Sequence, residues 1–408
     1  MRSAIASVSC LILGLAAAGV LAAGDSPQFR GPDRDGIFPA TGLAKSWPEG
    51  GPKLLWSVAG LGESYASVAV ADGKIFTTAK HGKKGTAYAF DLKGKKLWST
   101  VYGTEHEGAG YPGSRTTPTF AGGSIFLLSS GGEAVALDAA SGALRWKVDV
   151  LGRFGGENIY WGLSESPLVD GGRVIFTPGG KDAAVVALDT KTGDTVWASK
   201  GLSEKAAYCS PRIWETGKHR QVVTMTAKHL VGLDAETGTV QWRTPVSAAY
   251  DISANSPVFN GDLVYVSHHV EGSKAFRLAA DGRSVAPVWS EEKLDIHHGG
   301  AVLVDGRIYG AALKKGWFAL DAATGEVLAS IPGLDKGAVV YADGRLYGYS
   351  ESGEVLLIDP DPKSFRVISR LAVSAGSGQH WSHPVIAGGV LYIRHGDTLL
   401  AYDIAAAG

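Results

Sequence analysis

One short phrase recurs along this chain and limits what it can fold into more than any other feature. ALDAASGALRW (136–146) returns as ALDTKTGDTVW (187–197), as GLDAETGTVQW (232–242) and, without its tryptophan, as ALDAATGEVLA (319–329). A shortened form, AFDLKGKKLW, stands at 89–98. Self-similarity at a fixed period overrides the two or three domains that 408 residues would otherwise suggest.

The phrase decomposes physically. In ALD, apolar residues lead into an aspartate, as at the end of a half-buried strand. Asp138 is suited to accept a hydrogen bond from the backbone two residues on, and Gly142 to supply the left-handed conformation that ends a tight loop. Leu144 and Trp146 then share one face of the next strand. A second hairpin precedes each copy, marked by ADGKIF (71–76), AGGSIF (121–126), DGGRVIF (170–176), NGDLVY (260–265), VDGRIY (304–309), ADGRLY (342–347) and AGGVLY (387–392). YCSPRIWETGKHRQVVTM supplies a less regular unit between them.

Two hairpins per unit, recurring about every 45 residues, describe the four-stranded antiparallel blade of a β-propeller. Inner strands are expected near Ser67, Thr117, Ser166, Ser210, Ser256, Gly300, Gly337 and His383, which makes eight blades of an all-β ring. The chain ends after LLAYDIAAAG, before a fourth strand of the last blade, while KLLWSVAGLG (53–62) near the start matches LRWKVDVLGR (144–153). The N-terminal strand is therefore expected to complete the last blade and close the ring, leaving no open edge.

The expected organisation is an export signal at 1–24, an irregular Pro- and Gly-rich segment at 25–51, and a single propeller domain at 52–408. Arg2, the apolar run Ile5 to Val20 and the small residues Ala22, Ala23 and Gly24 give the signal. Its cleavage implies a soluble protein, periplasmic or extracellular, with no integral membrane segment; Cys10 lies inside the apolar run, where no lipid attachment is expected. Cys209 alone then remains and reads as a small buried residue, since one cysteine forms no internal disulfide. The 25–51 segment is expected to lie across the ring surface, pinned by Phe29, Phe38 and Trp47. A formal net charge of -1 gives no electrostatic reason to expect nucleic acid. A monomer is expected.

The pattern A-x-D-x-x-[ST]-G-x-x-x-W resembles the tryptophan-docking motif of the pyrroloquinoline-quinone (PQQ) repeat, found in quinoprotein alcohol dehydrogenases. The same repeat builds the propeller lipoprotein of the outer-membrane β-barrel assembly machine, which carries no quinone. The resemblance covers about residues 53–405, and the SPQFRGPDRDG opening is similar to that of secreted bacterial PQQ-like propellers. It implies that Trp56, Trp98, Trp146, Trp197, Trp242 and Trp289 are docking tryptophans wedged between blades. Ala329 and Ser369 stand in the equivalent region of the sixth and seventh units, where different packing is implied.

Any site belongs on the face that carries the long, irregular links between blades, at the mouth of the axial channel. Three chemistries compete there. A transition metal would use Glu105, His106, His297, His298, His380 and His383, with Glu107 beside them, although no ligand spacing recurs. PQQ with calcium, oxidising an alcohol or sugar, would need a stacking ring from Trp161 or Trp381 and cation ligands or a base among Glu157, Asn158, Asp251 and Asp295. Against it, the adjacent cysteine pair of the alcohol dehydrogenases is missing, as is the haem-attachment sequence C-x-x-C-H. The third reading, adopted here, is a non-catalytic scaffold without a cofactor. Its aromatic rim (Tyr65, Tyr111, Tyr160, Trp161, Tyr208, Tyr250, Trp381) would hold an envelope protein or a polysaccharide.

Overall fold

A computed structural model of the chain describes residues 24–407 except 109 and 247; the expected export signal, apart from Gly24, lies outside the described residues. The described residues form eight four-stranded antiparallel sheets in a ring, and blade seven gains a fifth strand. Blade one runs through Ala69–Ala71, Lys74–His81, Lys84–Asp91 and Lys96–Thr104. The eighth joins Val385–Ala387, Val390–His395 and Thr398–Asp403 to Lys53–Val58 from the other end of the chain. Lys53 pairs with Asp403 and Val58 with Leu399, so the N-terminal strand closes the ring. The less regular unit is an ordinary fourth blade, with Arg212–Thr216 paired to His219–Met225. Among the described residues the one α-helix is the short Val150–Phe154, and no helix is long and apolar enough to cross a membrane.

The recurrent phrase docks onto its own next copy. Asp138 Oδ1 accepts from the N–H groups of Ala140 and Ser141, and Asp189, Asp234 and Asp321 repeat the arrangement in blades three, four and six. A register shift between Leu144 and Trp146 re-aims the indole toward the neighbouring blade. Its Nε1 donates to Thr190 O at 2.9 Å, the residue after the next blade's aspartate. Trp56, Trp98, Trp197 and Trp289 donate in the same way to Leu92, Ala139, Ala235 and Ala322. The motif glycine has a second role here: a Cβ on Gly238 would lie 2.3 Å from the Trp197 ring.

Trp242 departs from the others. Its Nε1 turns back to Gln221 Oε1 of its own blade at 2.7 Å, because the fifth blade's LAADGRS turn lacks the aspartate–glycine spacing that would receive it. Trp214, edge-on to Trp242, crosses instead to Gly261 O at 3.0 Å. In the sixth blade, where Ala329 replaces the tryptophan, Trp317 donates to Asp335 O at 2.9 Å. The core is accordingly a series of layers between neighbouring blades; Phe126 and Trp146 of one blade, for example, pack with Val174 and Phe176 of the next.

Around the axis the inner strands are laced by hydroxyl groups. Ser67 N donates to Thr117 Oγ1, Thr117 N to Ser166 Oγ, and Ser166 N to Ser210 Oγ, at 3.0, 3.1 and 2.9 Å. His383 N donates to Ser67 Oγ at 2.9 Å and extends the girdle across the closure. Thr117→Val keeps the shape but leaves a buried N–H unpaired. Chemical denaturation is expected to show a loss of about 1–2 kcal/mol.

The N-terminal segment enters the axial channel, which differs from a strap across the surface. Ser26 bridges Val70, and Phe120 N donates to Pro27 O, both near the tight-turn end of inner strands. The chain then climbs, turns, and descends so that Ile37–Phe38 pairs in parallel with Tyr341–Ala342. Its turn carries two buried arginines. Arg30 donates to Gly299 O, Val339 O and Ala301 O; Arg34 donates to Ser166 O, Pro167 O and Pro211 O. A Cβ on Gly300 would fall 2.3 Å from the Arg30 guanidinium, so glycine there makes room for the insertion. Backbone carbonyls lining the channel need donors, and a guanidinium supplies five in one group. Phe38 and Trp47 are buried, Trp47 against the seventh blade, whereas Phe29 points to the opposite mouth.

Candidate functional site

The inserted segment makes the channel blind. At the face bearing the inter-blade links, a cavity of about 180 Å³ opens above it, with Phe29 and the girdle residues Thr117, Ser166 and Ser210 at its base. Phe29 stands edge-on to His383, ring centres 4.9 Å apart.

The walls are aromatic. Trp381 packs against Tyr65 at 5.0 Å and Tyr111 at 4.8 Å, inclined by 39° and 44°. Opposite, Trp161 meets Tyr208 at 6.1 Å and 52°. Tyr160 and Tyr250 flank Trp161 and stand exposed above it. These inclined rings form a cup with no parallel pair among them. Tyr111, Tyr208 and Tyr250 have φ of 52°, 67° and 59°, a left-handed backbone that costs energy for a bulky residue. Burial raises the Tyr65 and Tyr208 hydroxyls above their ordinary pKa, so both stay protonated.

One cation enters the wall. Arg115 lies over the Tyr65 ring at 5.1 Å and donates from Nη2 to Tyr111 O at 2.8 Å. The lining residues include Arg115, His297 and His298 but no carboxylate. His297 Nδ1 faces Lys336 Nζ at 2.8 Å; burial and that ammonium push its pKa down to about 3. His298 is pushed well below the ordinary range by burial and then by His297, and among the described residues neither of its ring nitrogens has a hydrogen-bond partner. His383 receives Arg30 Nη1 at Nδ1 (2.9 Å) and donates from Nε2 to His298 O (3.1 Å), which fixes its tautomer as neutral.

The cavity gathers Trp161, Trp381, His297, His298 and His383 from the residues expected at a site. The carboxylates lie elsewhere. Glu157 is exposed and paired with Lys205 at 3.4 Å; Asn158 donates to Ser130 O; Asp251 is exposed; Asp295 is buried and accepts from Leu313 N. Glu105 is buried, bound by Tyr102 Oη and Ser130 Oγ, with its pKa raised by burial. Glu107 is exposed and paired with Lys83. His106 faces Tyr160 O, and His380 stacks on His395 at 3.7 Å beside Tyr349 Oη. Among the described residues no group of three or more histidines, cysteines or acids is placed to hold a metal ion.

Two features escaped the sequence. Arg115 sits in a Gly-rich link without any spacing signal, and Glu165 is an acid inside an otherwise neutral strand entry. Cys209 is a buried thiol whose pKa burial pushes up to about 12.

The family model described as outer membrane protein assembly factor BamB matches residues 49–158 and 83–331. The dehydrogenase subunit of an alcohol dehydrogenase (quinone) from Gluconobacter oxydans (strain 621H) is 28% identical over 147 residues, 32% of this chain and 19% of that subunit's length. The chain thus spans about a fifth of that curated relative. BamB from Moraxella catarrhalis superposes with a TM-score of 0.63 at 16% identity, covering 87% of this chain and 98% of the other. Quinohemoprotein alcohol dehydrogenase from Comamonas testosteroni gives 0.66 at 11% identity, over 94% of this chain and 81% of that one. At such identities the superpositions speak for the fold alone.

Proposed function

Because this chain belongs to the PQQ-type propeller family of the outer membrane protein assembly factor BamB, we propose that it is a non-catalytic binding propeller of the cell envelope. Its axial mouth holds one ring at the end of a polysaccharide. The carrying observation is the blind, aromatic, carboxylate-free cup. Its volume of about 180 Å³ is below the roughly 300–1,000 Å³ that encloses a whole drug-sized ligand, so it admits a part. A chain cannot thread a channel stopped by residues 27–38, which leaves end-on entry. Inclined tyrosine and tryptophan faces suit a puckered sugar ring, whose C–H groups meet the negative aromatic face while hydroxyls reach Ser164, Ser166 and Ser210.

PQQ with calcium fits these residues poorly. A planar quinone needs a flat stacking floor, and on each wall the tryptophan's neighbouring rings are inclined to it by 39° to 52°. A divalent cation polarising the quinone would need oxygen ligands beside it, and no carboxylate lines the cavity. The same division of the chain accompanies the reading: residues 1–24 direct export and are removed, 25–51 form the inserted segment and its tether, and 52–408 the single propeller of a monomer.

Saturation-transfer NMR with oligosaccharides tests the proposal. Contacts are expected to concentrate on the terminal residue, with affinity falling at least about tenfold in Trp161→Ala. Stoichiometric binding of PQQ with calcium and dye-linked oxidation of an alcohol would overturn it.

A further inference from the structure

The cup is neutral or positive wherever it is charged, and that asymmetry bears on what enters it. The Arg115 guanidinium carries five N–H donors, of which the protein uses one, on Tyr111 O. Among the described residues it makes no ion pair. Burial already lowers its pKa, which means that its charge is incompletely solvated.

Beneath the floor lies more of the same sign. Arg30, Arg34 and Arg212 are buried; Arg30 and Arg34 spend most of their donors on backbone carbonyls, and Arg212 gives two, to Pro257 O and Asp33 O. Asp33 and Asp35 offset part of that charge, and Lys336, at the other side of Trp381, is matched by Glu351 at 3.2 Å. Glu105 and Glu165 act on Arg115 and Arg34 from a distance without pairing with them, and Arg115 is the cation that faces the cavity.

Resting on the terminal-ring reading above, we propose that the ring bound in the cup is an acidic sugar. A uronic acid's carboxylate would take the free edge of Arg115. A guanidinium pairs a carboxylate through two parallel hydrogen bonds, which fixes the orientation of the ring as well as its charge. The cup thereby selects acidic chain ends from neutral ones of the same shape.

Calorimetric titration with a glucuronic-acid-terminated disaccharide and with its glucose-terminated counterpart tests this on the whole protein. The acidic end is expected to bind at least about tenfold more tightly, with the advantage shrinking as salt is raised. Arg115→Gln should bring the acidic sugar's affinity down to that of the neutral one, and Arg115→Lys should restore part of the difference. Equal affinities in the wild-type protein, or a preference that survives Arg115→Gln, would overturn the assignment. Binding of both sugars alike sinks the charge selection and leaves the terminal-ring reading standing. If neither sugar binds, both fall.

Discussion

Arg34→Met is expected to lower the unfolding free energy by about 3 kcal/mol and to loosen the base of the cavity. Arg34 makes four hydrogen bonds: to Ser166 O, Pro167 O and Pro211 O, and to Gln28 Oε1. Hydrogen bonds to a charged group are each worth about 1.5–3 kcal/mol, and two of these carbonyls lose the only side chain seen to serve them. Pro167 O is partly protected, because Thr119 Oγ1 also donates to it at 2.6 Å. Against the loss stands relief from burying a cation, for burial lowers the guanidinium pKa to about 9. The bonds outweigh that relief because they join blades three and four to the inserted segment. Chemical denaturation measures the effect, and an unchanged midpoint would show the insertion to be ornamental.

Glu165→Gln should act in the opposite direction and only above acidic pH. Glu165 is buried, with Oε1 accepting Thr177 N at 2.5 Å and Oε2 without a partner among the described residues, beside a void of about 10 Å³. That void is about the size of one water. Burial is the main reason that the carboxyl pKa rises from 4.5 to about 7. The folded protein therefore holds this proton more tightly than the unfolded chain does. Below pH 4.5 both states are protonated and the group contributes nothing; from 4.5 to about 7 the unfolded chain ionises first and gains. At about 1.4 kcal/mol per pH unit the cost above pH 7 is about 3 kcal/mol. Stability of the wild-type protein should decline across that window and that of Glu165→Gln should decline less, so that the variant is more stable at pH 8 and similar at pH 4. Parallel curves would refute it.

The propeller was legible because its signal is repeated and local. Asp138, Gly142 and Trp146 state a turn, a left-handed residue and an aromatic at fixed offsets, and several copies state it again. Where a copy was damaged, the reading slipped. Trp242 has the spacing of its fellows but not their partner, since the next blade's turn lacks the motif and Nε1 bonds Gln221 of its own blade instead. The inserted segment was opaque for a different reason. PQFRGPDRDG has no period, and its order comes from carbonyls of blades far away in sequence, which no local pattern announces. The rim aromatics were legible as a class, because loops on that face are long. Arg115 and Glu165 were not, because a lone charge acquires meaning from burial, and burial here is decided by the whole ring.

Pairing of Lys53–Val58 with Thr398–Asp403 has a consequence for biosynthesis. A ribosome makes Lys53–Val58 well before Thr398–Asp403, so that strand must wait, unpaired, while the intervening blades are made. Through that interval both flanks of the nascent arc offer bare strand edges to any other chain, a hazard of aggregation that ends only once Thr398–Asp403 has been made. A message truncated before its last hairpin would therefore yield a product that never escapes that hazard, however many complete blades it contains.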